Sequence, residues 1–358
     1  MNPTKALHDL GQSIWLDNIT RELLNSGVLR QYIEELSVTG LTSNPTIFDH
    51  AITNSSDYDS DIASNREKNA ENLFFDLALA DITRAADLFQ PIFTRTDGVD
   101  GWVSLEVSPL LANNTEMTLA AASDLHKRAV RPNLFIKIPG TPAGIPAIEA
   151  AIFAGIPVNV TLLFSCKQYV AAAEAYLRGV ERRVAAGLNP AVGSVASIFI
   201  SRWDVAVSGK VNAELNNQLG ITIAKQAYQA YQELLASARF RRLTNEGARA
   251  QRLLYASTGT KDPSAPDTLY IESLAAPFTV NTMPENTLHA FADHGKVSSM
   301  LTSEGDDYKI VLAKFQQAGV DIDALALKLQ EEGADSFVKS WDDLIACIES
   351  KLTELRGR

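Results

Sequence analysis

The chain has 358 residues, 46% of them hydrophobic and 21% charged, a balance that suits a soluble globular protein with a large core. Its formal net charge of −11 argues against nonspecific nucleic-acid binding and against anionic membranes. Two cysteines, Cys166 and Cys347, are too few and too far apart for a disulfide framework or a zinc site. Five histidines (His8, His50, His126, His289, His294) lack ligand spacing, so no metal is expected.

Met1 to Leu10 is polar, and Asp9 and Asp17 interrupt any apolar run, so no signal peptide is expected. No stretch approaches ~18 consecutive apolar residues, which predicts no membrane-spanning helix and a cytoplasmic address. Candidate strands at Ser13–Asp17 and Val38–Thr42 come first. A surplus of helical sequence follows over Ser55–Phe93, clearest at Asn72–Leu88. Next are a strand at Trp102–Val107, a helix at Met117–Val130, a strand at Leu134–Ile138 and a helix at Ala143–Ala154. Then come a strand at Val158–Leu163, a helix at Lys167–Ala186, a strand at Val195–Ser201 and a long helix at Asp204–Ala236. Leu253–Ser257 and Leu269–Ser273 complete the candidate strands. In the tail, Phe337, Trp341, Leu344, Ile345, Ile348 and Leu352 repeat at three and four residues, an amphipathic helix. Strands alternating with helices predict a parallel sheet, and about eight such units suit a closed (β/α)₈ TIM barrel. The expectation is a single α/β domain over residues 1–358, with extra helices before the third strand. Residues 306–358 are expected to form C-terminal helices packed on the barrel.

Strand side chains alternate faces, one face packing on the helices and the other pointing into the barrel. In the first strand Ile14 and Leu16 oppose Trp15 and Asp17; in the third, Val103, Leu105 and Val107 oppose Ser104 and Glu106. In the fourth, Leu134, Ile136 and Ile138 oppose Phe135 and Lys137; in the fifth, Val158, Val160 and Leu162 oppose Asn159 and Thr161. In the sixth, Ala196, Ile198 and Ile200 oppose Ser197, Phe199 and Ser201. Several strands thus send an ionisable or amide side chain inward near the carboxyl end, where this fold places its active sites. Each would cost several kcal/mol if buried without partners. A self-satisfied network, such as a Lys137–Glu106 pair that merely pins adjacent strands, is the bland alternative; four or five such residues on successive strands argue against it.

Lys137 lies in an apolar strand, Leu134-Phe-Ile-Lys-Ile-Pro-Gly140. Low-dielectric surroundings disfavour an ammonium, and a neutral amine attacks a ketone to form an iminium, an electron sink for cleavage of the neighbouring carbon–carbon bond. That chemistry also needs a base for a substrate hydroxyl and a relay that removes water from the carbinolamine. Asp17, and Glu106 with Thr161, are candidates for those tasks.

Three segments, Thr39-Gly-Leu-Thr-Ser-Asn-Pro-Thr46, Asn133-Leu-Phe-Ile-Lys-Ile-Pro-Gly-Thr141 and Asn159-Val-Thr-Leu-Leu-Phe-Ser165, resemble recognisable motifs of transaldolases. Ser197-Ile-Phe-Ile-Ser-Arg-Trp-Asp204 and Tyr255-Ala-Ser-Thr-Gly-Thr-Lys-Asp-Pro263 are similar to two more. The tail Ser336-Phe-Val-Lys-Ser-Trp-Asp-Asp-Leu344 resembles the longer bacterial subfamily, and the similarity runs in chain order from about Trp15 to Leu344.

The resemblance implies a role for each matching position. Lys137 matches the Schiff-base lysine, Asp17 the acid/base at the C4 hydroxyl, and Glu106 (through a water) with Thr161 the relay for imine formation and hydrolysis. Asn44 and Asn159 match the amides that hold the dihydroxyacetone unit, Ser197 lines the same pocket, and Arg202 matches a phosphate-binding arginine. Lys261 stands where shorter transaldolases carry a second phosphate arginine; lysine supplies the charge without the bidentate fork. Together Arg202 and Lys261 would give an acidic protein the local cationic pocket that phosphorylated ligands need.

The implied reaction is reversible transfer of dihydroxyacetone from sedoheptulose 7-phosphate to glyceraldehyde 3-phosphate, in the non-oxidative pentose phosphate pathway. No metal or organic cofactor is implied, and the partners are small phosphorylated sugars, with the chain a monomer or homodimer. The nearest alternative is a fructose 6-phosphate aldolase, which releases free dihydroxyacetone; that group has shorter chains and resembles a glutamine where Glu106 stands. A non-catalytic sugar-phosphate-binding barrel is the other, although every matched catalytic position holds a competent residue.

Overall fold

The computed structural model of the chain describes residues 2–302 and 307–356. Eight parallel strands close into a barrel in chain order: β1 (Ser13–Asp17), β2 (Val38–Thr42), β3 (Val103–Glu106), β4 (Leu134–Pro139), β5 (Val158–Leu163), β6 (Ser194–Phe199), β7 (Gln251–Ala256) and β8 (Val280–Met283). β8 closes the ring on β1. The strands are buried almost throughout, as expected where helices cover one face and packed side chains the other.

Local chemistry sets the surrounding helices. Thr115–Ala129 starts where the Asn114 side chain accepts from Met117 N–H, and it ends on His126, Lys127 and Arg128, whose charges suit a helix C-terminus. Cys166–Ala185 opens on a capping box between Ser165 and Gln168.

The amino-terminal half of the barrel is plugged by aromatic rings. Phe135 stacks on Trp102 with centroids 3.9 Å apart and lies 6.1 Å from Trp15. A Cβ at Gly40 would come within 2.6 Å of the Trp15 ring and one at Gly193 within 2.6 Å of Trp102, so these glycines make room for the plug. Asp100 accepts from Trp15 Nε1 at 2.8 Å and from the Ser13 hydroxyl, and Trp102 Nε1 donates to the Gly98 carbonyl at 3.0 Å, so both indole N–H groups of the plug are paired. The plug fills the interior of the barrel at that end.

Two expectations need correction. Leu269–Ser273 is a short helix, and the eighth strand is Val280–Met283. Leu-Tyr-Ile reads as strand-like because its side chains are buried, but Tyr270 and Ile271 are buried from a helical turn, with Tyr270 Oη donating to Asp204 at 2.8 Å. The helix predicted over Asp204–Ala236 is broken into Ser201–Val207, a 3₁₀ turn at Ala213–Leu215, and Leu219–Ala236. The break carries Gly209 and Asn217 at positive φ, and Asp204 folds back to accept from Leu219 and Gly220 N–H at 2.8 and 3.2 Å, capping the later helix. The other strands match their expected positions to within one or two residues at their ends.

The helical surplus before β3 is Asp59–Ser64 and the long Ala70–Arg95. The tail forms Asp307–Gln317 and Ile322–Arg356, the latter buried along Phe337, Trp341, Leu344, Ile348 and Leu352. Residues 306, 357 and 358 of the segment expected to be helical lie outside the described residues. Trp341 meets Phe74 edge-on at 5.2 Å, so the tail helix docks on the early helices and runs across the carboxyl end of the barrel.

Candidate active site

β3 and β4 pair with Glu106 beside Lys137, and β4 pairs with β5 so that Lys137 neighbours Asn159. Period-two alternation then turns all three side chains the same way. Lys137, only 5% exposed, sets its Nζ 3.0 Å from Glu106 Oε2 and donates to the Ser43 carbonyl at 2.8 Å. Burial pushes the Glu106 carboxyl above its ordinary value; the Lys137 charge and hydrogen bond oppose that, and Asp17 adds to it. Glu106 Oε1 is buried without a hydrogen-bond partner.

Asp17 ends β1. Burial raises its affinity for a proton, and Lys137, a hydrogen bond from Thr42 and the Lys261 charge pull the other way. Thr42 Oγ1 donates to Asp17 Oδ1 at 2.7 Å and lies 2.7 Å from Thr282 Oγ1, so a chain of hydroxyls from β8 and β2 fixes the carboxylate.

On β5 the two inward residues differ. Asn159 is tied up: Ser197 Oγ donates to its Oδ1 at 2.7 Å, and its Nδ2 donates to Ser104 Oγ at 3.1 Å. Thr161 is fully buried, and its Oγ1 has no partner. Buried polar groups without a protein partner are exceptions in folded proteins; Thr161 is one that also lines a cleft. Just beyond, Leu162 adopts φ +58° and the ladder to β6 shifts register between Val160 and Leu163. A left-handed conformation at such a residue costs about 1–3 kcal/mol and is the kind of strain that collects at functional sites.

Asn44 caps the helix Pro45–Thr53 with its Oδ1, which accepts from Ile47 N–H at 3.0 Å and leaves the amide N–H groups without a hydrogen bond among the described residues. Arg202, in the short helix Ser201–Val207 that follows β6, is partly buried with its guanidinium carbon 5.3 Å from the centre of the Phe199 ring. Burial lowers its pKa and the Glu332 charge opposes this. An arginine stays charged regardless, and among the described residues Arg202 makes neither an ion pair nor a hydrogen bond. A half-desolvated cation with no ion-pair or hydrogen-bond partner among the described residues is a natural seat for an anion.

These groups surround one cleft of about 140 Å³, lined by Asp17, Asn44, Lys137, Thr161, Ser197, Arg202 and Lys261 among others. Of the expected site residues, only Glu106 and Asn159 do not line it; they stand behind Lys137 and Ser197. Thr42, Thr282, Phe199 and Phe337 line it as well and had been assigned no role. Thr42 was discoverable, since it ends β2 within the Thr39–Thr46 segment. Thr282 was hidden by the misread eighth strand, and Phe337 read as one more apolar residue of the tail stripe.

Among the described residues no group of three or more His, Cys, Asp or Glu side chains is gathered to hold a metal. None of the described helices is long and apolar enough to cross a membrane.

The sequence profile of the family described as "Transaldolase/Fructose-6-phosphate aldolase" matches residues 14–348. The chain is 43% identical to a transaldolase of Saccharopolyspora erythraea, with 98% of each chain covered. It is 44% identical to a transaldolase of Thiobacillus denitrificans over 97% of this chain and 100% of that one. It is 38% identical to "Transaldolase 2" of a Nostoc species, with 98% of each covered.

Proposed function

The chain belongs to the transaldolase/fructose-6-phosphate aldolase family, and from that premise we propose that it moves a dihydroxyacetone unit between sugar phosphates through a Schiff base on Lys137. In one direction sedoheptulose 7-phosphate and glyceraldehyde 3-phosphate give erythrose 4-phosphate and fructose 6-phosphate. The observation that carries the residue assignment is the buried Lys137, which lines one cleft with Asp17 and Thr161 and has Glu106 behind it at 3.0 Å.

The chemistry follows from the groups present. Lys137 attacks the C2 ketone once its proton has moved away, and Glu106, whose burial raises its proton affinity, is the adjacent acceptor. Glu106 and Thr161 then pass the proton that lets the carbinolamine hydroxyl leave as water, giving the iminium. Asp17 removes the C4 hydroxyl proton, the C3–C4 bond breaks, and its electrons collect in the iminium to form an enamine on Lys137. The aldehyde product leaves, the acceptor aldehyde enters, and the same steps run backward. Asn44, Asn159 and Ser197 are the proposed ligands of the three-carbon unit, and Arg202 with Lys261 the proposed seat of the phosphate.

Glu106, rather than a glutamine, favours transfer over release of free dihydroxyacetone. Fructose 6-phosphate alone is therefore expected to give no steady release of free dihydroxyacetone, whereas adding erythrose 4-phosphate gives sedoheptulose 7-phosphate, as read by chromatography of the products. Steady release without an acceptor would move the chain to the aldolase side of its family.

Arg202→Ala is expected to raise KM for fructose 6-phosphate by about 10–100-fold, the size of a lost charge-assisted contact, with a much smaller change in kcat. An unchanged KM would remove Arg202 from the phosphate site. The same proposal sets the enzyme in the cytoplasm, as a monomer or homodimer acting on small phosphorylated sugars.

A further inference from the structure

The tail helix Ile322–Arg356 touches the catalytic strands through one buried amide. Gln330, 7% exposed, donates from a single Nε2 to the Leu162 carbonyl at 2.8 Å and to the Gly140 carbonyl at 3.1 Å. Gly140 lies three residues beyond Lys137, and Leu162 immediately follows Thr161. Gly140 N–H in turn donates to the Thr161 carbonyl at 2.7 Å. The amide therefore closes a small circuit over the ends of β4 and β5.

That circuit sits where the sheet cannot look after itself. The β5–β6 register shifts between Val160 and Leu163, and Leu162 is left-handed, so its carbonyl is turned out of the ladder and needs a donor from elsewhere. Gln330 supplies the donor and holds the turn that leaves Thr161 Oγ1 unpaired at the cleft. Gly333, one turn further along the same helix face, makes the close approach possible: a Cβ there would lie 3.0 Å from Leu162 Cδ2 and 3.2 Å from an Arg202 guanidinium nitrogen. Phe337, a turn beyond, lines the cleft itself.

We propose that Gln330 is a positioning residue for imine formation, setting Thr161 against Lys137 from a helix outside the barrel. The proposal rests on the Schiff-base reading given above. A buried glutamine that merely satisfied two carbonyls would affect stability alone; a positioning residue affects the rate through Thr161.

The two roles separate in a double-mutant cycle on the full chain, using Gln330→Met, Thr161→Ala and both together. The readings are kcat and KM with fructose 6-phosphate and erythrose 4-phosphate, the rate of borohydride-trapped adduct formation, and Tm. Gln330→Met is expected to lower kcat and the trapping rate by roughly 10–100-fold, the scale of a small misplacement of a reacting group, with KM within about threefold. The double variant is expected to be no slower than Thr161→Ala. Wild-type kcat in Gln330→Met, a loss that only tracks the unfolded fraction, or losses that multiply in the double variant would overturn the proposal. Gln330→Glu, of the same reach but with no N–H to give, is measured beside it in case the methionine variant folds poorly, and is held to the same outcomes. Absence of any trapped adduct in the unaltered enzyme would instead count against the Schiff-base reading, and is seen before a variant is made.

Discussion

Lys137→Met is expected to abolish turnover, with kcat down by on the order of 10⁴-fold or more, and to abolish labelling by borohydride in the presence of fructose 6-phosphate. The size follows from the role: without the amine there is no iminium, and the remaining groups contribute only binding and polarisation. Methionine fills the same space, so the apolar wall of β4 stays packed. Glu106 is then left buried without its cation, but burial already favours its protonated form, which limits the penalty. In the unaltered enzyme, digestion and mass spectrometry should place the reduced dihydroxyacetone adduct on the Lys137 peptide. An adduct on another lysine, or turnover retained by Lys137→Met, would end the assignment.

Asp17→Ala is expected to lower kcat by about 10²–10⁴-fold, the usual contribution of a positioned acid/base, while iminium formation continues. The borohydride adduct on Lys137 should therefore still form in this variant from fructose 6-phosphate, now retaining the uncleaved six-carbon sugar. Unchanged turnover would take Asp17 out of the mechanism. The pH dependence has a definite sign. In the proposed mechanism the ionised carboxylate is the base for cleavage, and burial sets its pKa above the ordinary carboxylate range. The rate of cleavage therefore falls as pH drops through that raised value, and the acid limb in single-turnover cleavage should disappear in Asp17→Ala. The stability linkage has the opposite sign: a carboxyl that binds its proton more tightly when folded favours the fold below both pKa values, and that stability is lost as pH rises from the unfolded value through the folded one. Asp17→Ala is thus not expected to unfold the barrel.

Much of the candidate site was legible because strand alternation has a period of two. Once Leu134–Ile138 reads as a strand with Ile136 and Ile138 against the helices, Lys137 must point inward, and the same logic places Glu106, Asn159 and Thr161. β8 was illegible for the same reason in reverse. Val-Asn-Thr-Met is four residues long, and its polar Asn281 and Thr282 look like loop until Thr258 is seen to donate to Asn281 Oδ1 and Thr42 to meet Thr282. Leu269–Ser273 misled because burial, which sequence can suggest, is not the same as extended backbone.

The sequence by itself determined the barrel, the inward face of the catalytic strands and the family resemblance, all of which depend on local period and short motifs. The tertiary structure decided which inward groups are left without partners: Asn159 is consumed by Ser197 and Ser104, while Thr161 and the free oxygen of Glu106 are not. It also decided that Gln330 reaches Gly140 and Leu162, 190 and 168 residues away in the chain. Hydrogen-bond satisfaction is a property of the whole neighbourhood, and no local pattern encodes which distant helix will close over a strand end.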